Sequence, residues 1–360
     1  MPGLKIICLK GRSYKKHVSL ARQINHIETG ARFYKCARLE PRPDLILCSY
    51  PLIELSYGAT KLGRKWHVPV VLDIRDLWPD IFDEQFRGWK RLMADPLTLP
   101  FNIAASTACK RATAITGITD GILAWGANKA GRVVRDDERS FPHGYYQAHV
   151  SAGEQEEAEV FWEKYGVKSS DFIVSYFGAV NSRHEFSVVI DAAKALLINY
   201  PQLKFVICGS GDHLQKVRDS AKEAKNVIVP GWVPKLEMEG LARMSSLGLA
   251  PYKSEKNYLE SVPTKAIEYF SHGLPVISSL KGRLANVLFQ EQCGVTYENG
   301  SWQSLVDSIV DLLRNPMRLR SLGENSERLF KQEYDGSRVY GDMATHLEGI
   351  VDQFPKMPGI

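Results

Sequence analysis

Short apolar runs alternate with longer amphipathic segments along the first half of the chain. Four runs have the length and apolar character of buried strands, and they lie at 5–9, 44–49, 69–74 and 112–116. Segments with helical periodicity lie between them, at 18–38, 51–65 and 98–111. Strands and helices that alternate in this order predict a doubly wound α/β domain with a parallel sheet.

The same alternation resumes after a charged stretch at 154–168. Six further apolar runs follow, at 172–177, 205–208, 226–229, 247–250, 275–278 and 294–297. Helical segments separate most of them, at 186–198, 212–222, 236–244, 264–272 and 302–314. We therefore predict a first domain over 1–165, a second over 166–335, and a C-terminal helix over 336–360 that packs back towards the first domain.

Length and composition agree with two globular domains. The chain has 360 residues, of which 44% are hydrophobic and 24% charged. No run approaches the roughly 18 to 20 apolar residues of a membrane span, and no secretory signal opens the chain, so we expect a cytoplasmic protein. The six cysteines are scattered without a Cys-x-x-Cys pair, which predicts reduced thiols and no zinc site.

Positive charge is concentrated near the N-terminus. Residues 1–70 contain 13 basic and four acidic residues, whereas the net charge of the whole chain is +5. The clusters at 10–17 and 32–38 interleave basic with aromatic residues, a pattern that suits an anionic membrane surface, where each cation contributes about 1 kcal/mol. Nucleic acid attracts the same pattern, and a solvated helix face also accounts for it.

One segment of the second half combines two carboxylates with helix start and stop signals. Pro263 suits a first helical turn and Gly273 a C-terminal cap, which predicts Glu260 in the preceding loop and Glu268 in the second turn. Free N–H groups at a helix start attract phosphate, and a carboxylate nearby can accept hydrogen bonds from sugar hydroxyls. The segment therefore predicts a site for a phosphorylated sugar, with two solvated charges as the alternative.

The full segment runs from Glu260 through Pro-Thr-Lys and Glu-Tyr to His-Gly-Leu-Pro-Val-Ile at 272–277. It resembles the donor-site signature of retaining glycosyltransferases with the GT-B fold, in the large fourth sequence family and among its enzymes of bacterial surface polysaccharides. The resemblance covers residues 40–335. It implies two Rossmann-like domains that face a cleft, and we expect the first to lack the strand, glycine-rich loop and helix with which family members usually open.

The resemblance also implies roles for residues of the second domain. Glu268 would hold the ribose hydroxyls and Glu260 the donor sugar. The diphosphate would lie against the loop after 172–177 and the start of the donor helix, near Gly178, Arg183, His184, Val262, Thr264 and Lys265. His184 stands where the family usually has a lysine, so Arg183 or Lys265 would supply the cation. The loop at 230–235 would hold the base at Trp232 and Val233, although Trp232 also suits the core.

In the first domain the strand at 69–74 ends in a charged segment. Arg75 and Asp76 stand where family members commonly have His-Asp, and enzymes acting on polysaccharide precursors often have Arg-Asp-Leu-Trp-Pro as here. The resemblance implies that Arg75 and Asp76 face the donor sugar and act in catalysis. An ion pair that braces the loop is the alternative.

Together these features predict a glycosyltransferase that transfers a hexosyl or N-acetylhexosaminyl group. The donor is expected to be a nucleoside-diphosphate sugar, with UDP rather than GDP, and the acceptor a lipid-linked saccharide at the inner membrane face. The family implies retention, no metal and no separate cofactor, and we do not expect nucleic acid as a partner. Three alternatives stay open: a catalytically impaired GT-B scaffold subunit, a sugar-nucleotide 2-epimerase, and a dinucleotide oxidoreductase. The last lacks a Gly-x-Gly-x-x-Gly after a strand.

Overall fold

The computed structural model describes residues 3–14, 20–80 and 89–355. The chain forms two compact units, Met1–Pro142 together with Tyr340–Ile360, and His143–Val339. The division predicted at 165 and 335 stays a prediction. Part of the predicted basic cluster, Lys15, Lys16 and His17, lies outside the described residues. Over the described ranges, no helix is both long and apolar enough to cross a bilayer.

A three-stranded parallel sheet with the order β1-β2-β3 forms the centre of the first unit. Its strands are Ile46–Tyr50, Val70–Ile74 and Ala114–Gly117. The accompanying helices are α1 (Leu20–Ala37), α2 (Ile53–Trp66), α3 (Trp89–Arg111) and α4 (Asp120–Lys129), and the last helix of the chain, Gly336–Gln353, joins this unit from Tyr340 onward. The predicted strands at 44–49, 69–74 and 112–116 are thus confirmed within two residues.

The middle strand of this sheet is covered on both faces. Every residue of β2 is buried, and Leu72 packs with the cluster around Ile74 and Ile115. On the opposite face Val71 packs with Ile350 of the last helix. Burial on both faces explains why this strand is a continuous apolar run up to Asp73.

The strand predicted at 5–9 is wrong. Residues 4–14 form neither helix nor strand, and Ile6 is 76% exposed. A strand requires a neighbour whose N–H and C=O groups it can pair, and in the described sheets β1 pairs with β2 only. Ile7 and Leu9 instead line an apolar groove beside α1 and β1.

The second unit contains a six-stranded, wholly parallel sheet with the order β6-β5-β4-β7-β8-β9. The strands are Phe172–Phe177, Leu203–Cys208, Val227–Gly231, Leu247–Ala250, Val276–Ser278 and Gly294–Thr296, numbered β4 to β9 in that order. The helices are α5 (Ala152–Glu163), α6 (Phe186–Leu196), α7 (Leu214–Ala221), α8 (Lys235–Met244), α9 (Lys256–Leu259), α10 (Thr264–Ser271), α11 (Arg283–Gln290), α12 (Trp302–Arg314) and α13 (Pro316–Leu329). A π-helical turn at Phe330–Tyr334 follows, and α14 is Gly336–Gln353.

The charged stretch before β4 is largely a helix, which the sequence analysis did not predict. Ser151 and Glu154 form a capping box at the start of α5. Trp162 is fully buried, and its Nε1–H donates to the Glu237 carbonyl oxygen at 2.7 Å. The Ser-x-x-Glu spacing was visible in the sequence and could have identified this helix.

Strand order places a ligand crevice in the second unit. The first strand, β4, lies between β5 and β7, so the connections run to opposite sides of the sheet from this point. In open parallel sheets, ligands bind beyond the carboxyl ends of the strands at such a switch point. Candidate ligand contacts therefore lie in the segments after β4, β5 and β7. The predicted class, α/β with two Rossmann-like units, is confirmed.

Candidate functional site

Two glycine turns meet at the switch point. Gly178 after β4 and Gly209 after β5 have φ values of +133° and +141°, and Gly178 N–H donates to the Cys208 carbonyl oxygen at 3.0 Å. A Cβ on Gly209 would lie 1.7 Å from the Gly178 carbonyl oxygen. Only glycine allows this approach, so the turn after β4 is held open and close to the turn after β5.

Lys265 brings its charge to the same turn from another element. It lies in the first turn of α10, and its Nζ is 4.0 Å from the centroid of the Tyr176 ring. A Cβ on Gly178 would lie 2.3 Å from that Nζ, so the absence of a side chain at Gly178 makes room for the ammonium group. Burial lowers the pKa of Lys265 to about 8, and Glu268 opposes this effect. A cation so desolvated favours an anionic ligand.

The donor helix is close to its predicted bounds. It begins at Thr264, with Pro263 as its N-cap rather than in its first turn, and Gly273 follows its end with φ +64°. Glu268 is half-buried in its second turn, as the sequence predicted, and its Oε1 accepts a hydrogen bond from the Tyr145 hydroxyl at 3.3 Å. Burial raises the pKa of Glu268, and Lys265 lowers it.

The side chains around the start of this helix differ in exposure. Val262 is buried, Thr264 is exposed, and Glu260 is exposed in the loop between α9 and α10. The predicted position of Glu260 outside the helix agrees with these bounds. Its contact with a donor sugar stays a prediction.

His184 is unsuited to be a cation. Its Nδ1 lies 3.0 Å from Asn181 Oδ1, its Nε2 lies 3.2 Å from the Tyr176 hydroxyl, and its ring is 4.8 Å from that of Tyr252. Burial, assisted by the Lys265 charge, lowers the pKa of His184 to about 4, so the ring is neutral at neutral pH. A part in donor binding for His184 therefore has to be one of shape or hydrogen bonding.

Arg183 is the other residue that the sequence analysis offered as a cation for the diphosphate. Its side chain is 58% exposed, and its Nε is 3.8 Å from Glu255 Oε2. Of the two residues that could replace the family lysine, Lys265 is the one that lies against Gly178.

The segment predicted to hold the base follows β6. Trp232 is 72% exposed and Val233 is buried, so the alternative that Trp232 belongs to the core is wrong. Gly231 before it has φ +98°. Arg218 donates hydrogen bonds to the carbonyl oxygens of Val229 and Pro230, which supports the end of this strand.

At the end of β2 in the first unit, Arg75 is held by a residue that the sequence analysis did not select. Asp73 is 2% exposed, and its Oδ2 accepts a hydrogen bond from Arg75 Nε at 2.6 Å. Its Oδ1 accepts from the Thr116 hydroxyl at 3.0 Å. Two anchored oxygens orient the guanidinium group. An acidic residue inside an otherwise apolar strand was the available signal. The roles of Arg75 and Asp76 stay predictions.

The structure thus brings Gly178, His184 and Lys265 together around Tyr176, with Glu268 one helical turn beyond Lys265. Tyr176 and Tyr145 were missed. Tyr176 lies within an apolar strand and Tyr145 lies outside the strands, and in neither position does a tyrosine carry a signal of a ligand site. Among the described residues, no three His, Cys, Asp or Glu side chains form a group suited to a metal ion. The expected metal independence stays a prediction.

Comparison with known proteins indicates the class of enzyme to which this arrangement belongs. Residues 158–329 match a family model described as "Glycosyl transferases group 1". In fold the chain is similar to Anabaena HepE, solved in complex with UDP, with a TM-score of 0.69, 14% identity, and coverage of 92% of this chain and 84% of that one. The family match and the two-unit fold define a glycosyltransferase with the GT-B fold, which confirms the predicted enzyme class.

Two further structures share the fold. Sucrose-phosphate synthase from Thermosynechococcus elongatus has a TM-score of 0.67 at 16% identity, covering 91% of this chain and 79% of that one. The UDP-forming α,α-trehalose-phosphate synthase from Burkholderia vietnamiensis has a TM-score of 0.66 at 13% identity, covering 95% and 80%. No curated protein matches the sequence.

Proposed function

We propose that this protein transfers a sugar, a hexosyl or N-acetylhexosaminyl group, from a UDP-sugar to a hydroxyl of a lipid-linked saccharide in surface-polysaccharide synthesis. The observation that carries the proposal is the desolvated Lys265 ammonium against the open Gly178 turn, one helical turn before a half-buried Glu268. UDP is favoured over GDP because the HepE structures similar in fold contain UDP and UDP-glucose. The proposed transfer retains the anomeric configuration and requires no metal, as in the family that the donor segment resembles.

In this proposal the helix start and Lys265 bind the donor diphosphate. The acceptor oxygen approaches the anomeric carbon from the side of the leaving group, which gives retention. The bond between that carbon and the diphosphate oxygen breaks as the acceptor oxygen bonds to the carbon, and the acceptor proton passes to the departing diphosphate oxygen of UDP. Preorganised positive groups aimed at a developing negative charge usually make the largest single contribution to catalysis. The N-terminus of α10 adds its free N–H groups. Arg183 can contact the outer phosphate, and Trp232 with Val233 holds the base.

The two carboxylates have separate tasks in this scheme. Glu268 accepts hydrogen bonds from the ribose, and Glu260 contacts the transferred sugar. Glu268→Ala should weaken UDP binding by about 1.5 to 3 kcal/mol, the range for hydrogen bonds to a charged group. Glu260→Ala should leave UDP affinity unchanged and slow consumption of UDP-sugar. Isothermal titration with UDP and a donor-turnover assay measure the two effects.

Glu327→Ala is the matched control, because Glu327 is an exposed carboxylate of the same unit, paired with Lys331 at 2.5 Å. It should alter neither measurement. UDP affinity that is equal in Glu268→Ala and in the control would refute the ribose role of Glu268. Wild-type protein that binds no UDP and no UDP-sugar would refute the proposed donor.

The surface of the first unit supports the proposal that the acceptor is linked to a lipid. This unit has a groove of about 420 Å³ with a mainly apolar lining, which includes Ile7, Leu9, Phe33, Leu45, Leu62 and Trp66. Leu4, Ile6 and Leu39 nearby in the sequence are 62%, 76% and 86% exposed. Exposed apolar groups beside a basic segment favour attachment to an anionic membrane surface. We propose that the protein acts at the inner face of the cell membrane.

Membrane attachment of this kind should depend on both lipid charge and salt. We expect the protein to sediment with anionic vesicles at low ionic strength and to be released as salt rises, because the Debye length falls to about 8 Å near physiological ionic strength. Vesicles of neutral lipid are the control. Equal sedimentation with both vesicle types, or with neither, would contradict the proposal.

A further inference from the structure

The chain enters the second unit through a short segment, residues 143–147, that contacts the donor helix with two side chains. In this entry segment the Tyr145 hydroxyl donates a hydrogen bond to Glu268 Oε1 at 3.3 Å. Gln147 Nε2 donates to the carbonyl oxygen of Ser271, the last residue of α10, at 2.5 Å. The entry segment is therefore attached to the helix that carries the proposed ribose contact.

Backbone hydrogen bonds fix Tyr145 on both sides. Its N–H donates to the Tyr334 carbonyl oxygen, and its own carbonyl oxygen accepts from the Gly336 N–H, both at 2.9 Å. The Tyr334 ring is buried and stacks on Phe270 of the donor helix, with ring centroids 6.1 Å apart. The position of the Tyr145 hydroxyl is thus set by a backbone that is itself packed against this helix.

The hydroxyl of Tyr145 is suited to donate to a carboxylate. Burial and the Glu268 charge raise the pKa of Tyr145, so the phenol keeps its proton. Over the described ranges, this is the one hydrogen bond that the Glu268 carboxyl group accepts, and Glu268 Oε2 accepts none. One carboxyl oxygen is therefore anchored, while the other keeps its acceptor capacity for a ligand.

The charged groups that face Glu268 do not orient it in the same way. Burial raises the pKa of Glu268, Lys265 and His272 lower it, and Glu239 of α8 raises it, and these three residues act through their charges. A Coulomb interaction depends on distance, whereas a hydrogen bond also requires a narrow range of angles. Tyr145 is therefore the neighbour that gives the Glu268 carboxyl group a direction.

We propose that Tyr145 is a positioning residue for nucleotide binding: its hydroxyl holds Glu268 Oε1 and so directs Glu268 Oε2 towards the ribose hydroxyls of UDP. Tyr145 itself need not touch the nucleotide. The proposal rests on the proposed function, because it gives Glu268 the ribose of UDP as its partner.

The test is a double-mutant cycle read by isothermal titration with UDP. Tyr145→Phe keeps the ring and removes the hydroxyl, and it should weaken UDP binding about two- to tenfold, the range for one net hydrogen bond. In the Glu268→Ala background the same change should cost no further affinity, because the hydroxyl acts only through Glu268. An equal loss in both backgrounds would mean that Tyr145 merely supports the fold, and would overturn the proposal.

Tyr165→Phe is the matched control, because Tyr165 is an exposed tyrosine of the same unit, and it should bind UDP as the wild type does.

A second readout needs no ligand. A hydrogen bond donated to the carboxylate favours its ionised form, so losing the Tyr145 hydroxyl should raise the pKa of Glu268. Carbon-13 NMR of the Glu268 carboxyl group, titrated in free wild-type protein and in free Tyr145→Phe, measures this shift. An unchanged midpoint overturns the proposal even if UDP binds. A raised midpoint in a protein whose wild type binds no UDP would instead refute the proposed donor, and the ribose role with it.

Discussion

Lys265→Met should weaken UDP binding by at least about 30-fold. Methionine retains an unbranched apolar side chain beside Tyr176 but removes the charge that lies against Gly178. Removing one partner of a buried, hydrogen-bonded charge pair costs about 2 to 5 kcal/mol. We therefore expect a loss of affinity between about 30-fold and several thousand-fold. Isothermal titration with UDP measures it.

Lys331→Met is the matched control, because Lys331 is an exposed lysine of the same unit, paired with Glu327. It should bind UDP as the wild type does.

A second readout is proton uptake. Burial lowers the pKa of Lys265 to about 8 in the free protein, and binding of the diphosphate favours the charged form of Lys265. UDP binding near pH 8 should therefore take up protons, seen as a dependence of the binding enthalpy on the buffer, and affinity should weaken above that pH. Undiminished affinity in Lys265→Met would place the diphosphate elsewhere.

Arg75→Ala should separate binding from transfer. Every residue proposed to hold UDP belongs to the second unit, whereas Arg75 belongs to the first. UDP affinity should therefore be nearly unchanged. The anchored guanidinium, held by Asp73 at 2.6 Å, is a preorganised charge, and losing one such contact lowers turnover by about a hundredfold or more. A transfer assay with a lipid-linked acceptor and a UDP titration give the two measurements.

Arg64→Ala is the control, since Arg64 is an exposed arginine of the first unit. Its transfer rate should equal that of the wild type. Equal transfer by Arg75→Ala and by the control would leave Arg75 only its ion pair with Asp73. That outcome would favour the alternative from the sequence, a charge that braces the loop after β2.

The elements predicted best are those with an unambiguous apolar pattern. β4 and β7 were predicted over the residues that the structure shows, because strands buried on both faces are continuous short runs of apolar residues. α5 and α13 were missed because charged and polar residues interrupt their apolar faces. The run at 5–9 was predicted as a strand from its apolar residues, but no ladder partner lies beside it in the described sheets.

The candidate site was predictable in part. The donor helix and the position of Glu260 in the loop before it follow from start and stop signals that lie within a dozen residues. The neutrality of His184 was not predictable, because its lowered pKa depends on burial and on Lys265, 81 positions away in the sequence. The Asp73–Arg75 pair lies within one strand end, yet sequence could not tell which of two aspartates Arg75 contacts.

The local amino-acid sequence therefore determined the alternation of strands and helices, the helix that carries Glu268, and the glycines at the strand ends. These depend on periodicity and backbone freedom, which neighbouring residues set by themselves. Only the tertiary structure decided that Lys265 meets Gly178, and that the side chain of His272, which follows the donor helix, lies 3.0 Å from Glu239 of α8. Such contacts join segments far apart in sequence, and the charge state of each group follows from burial and from neighbours that exist only after folding.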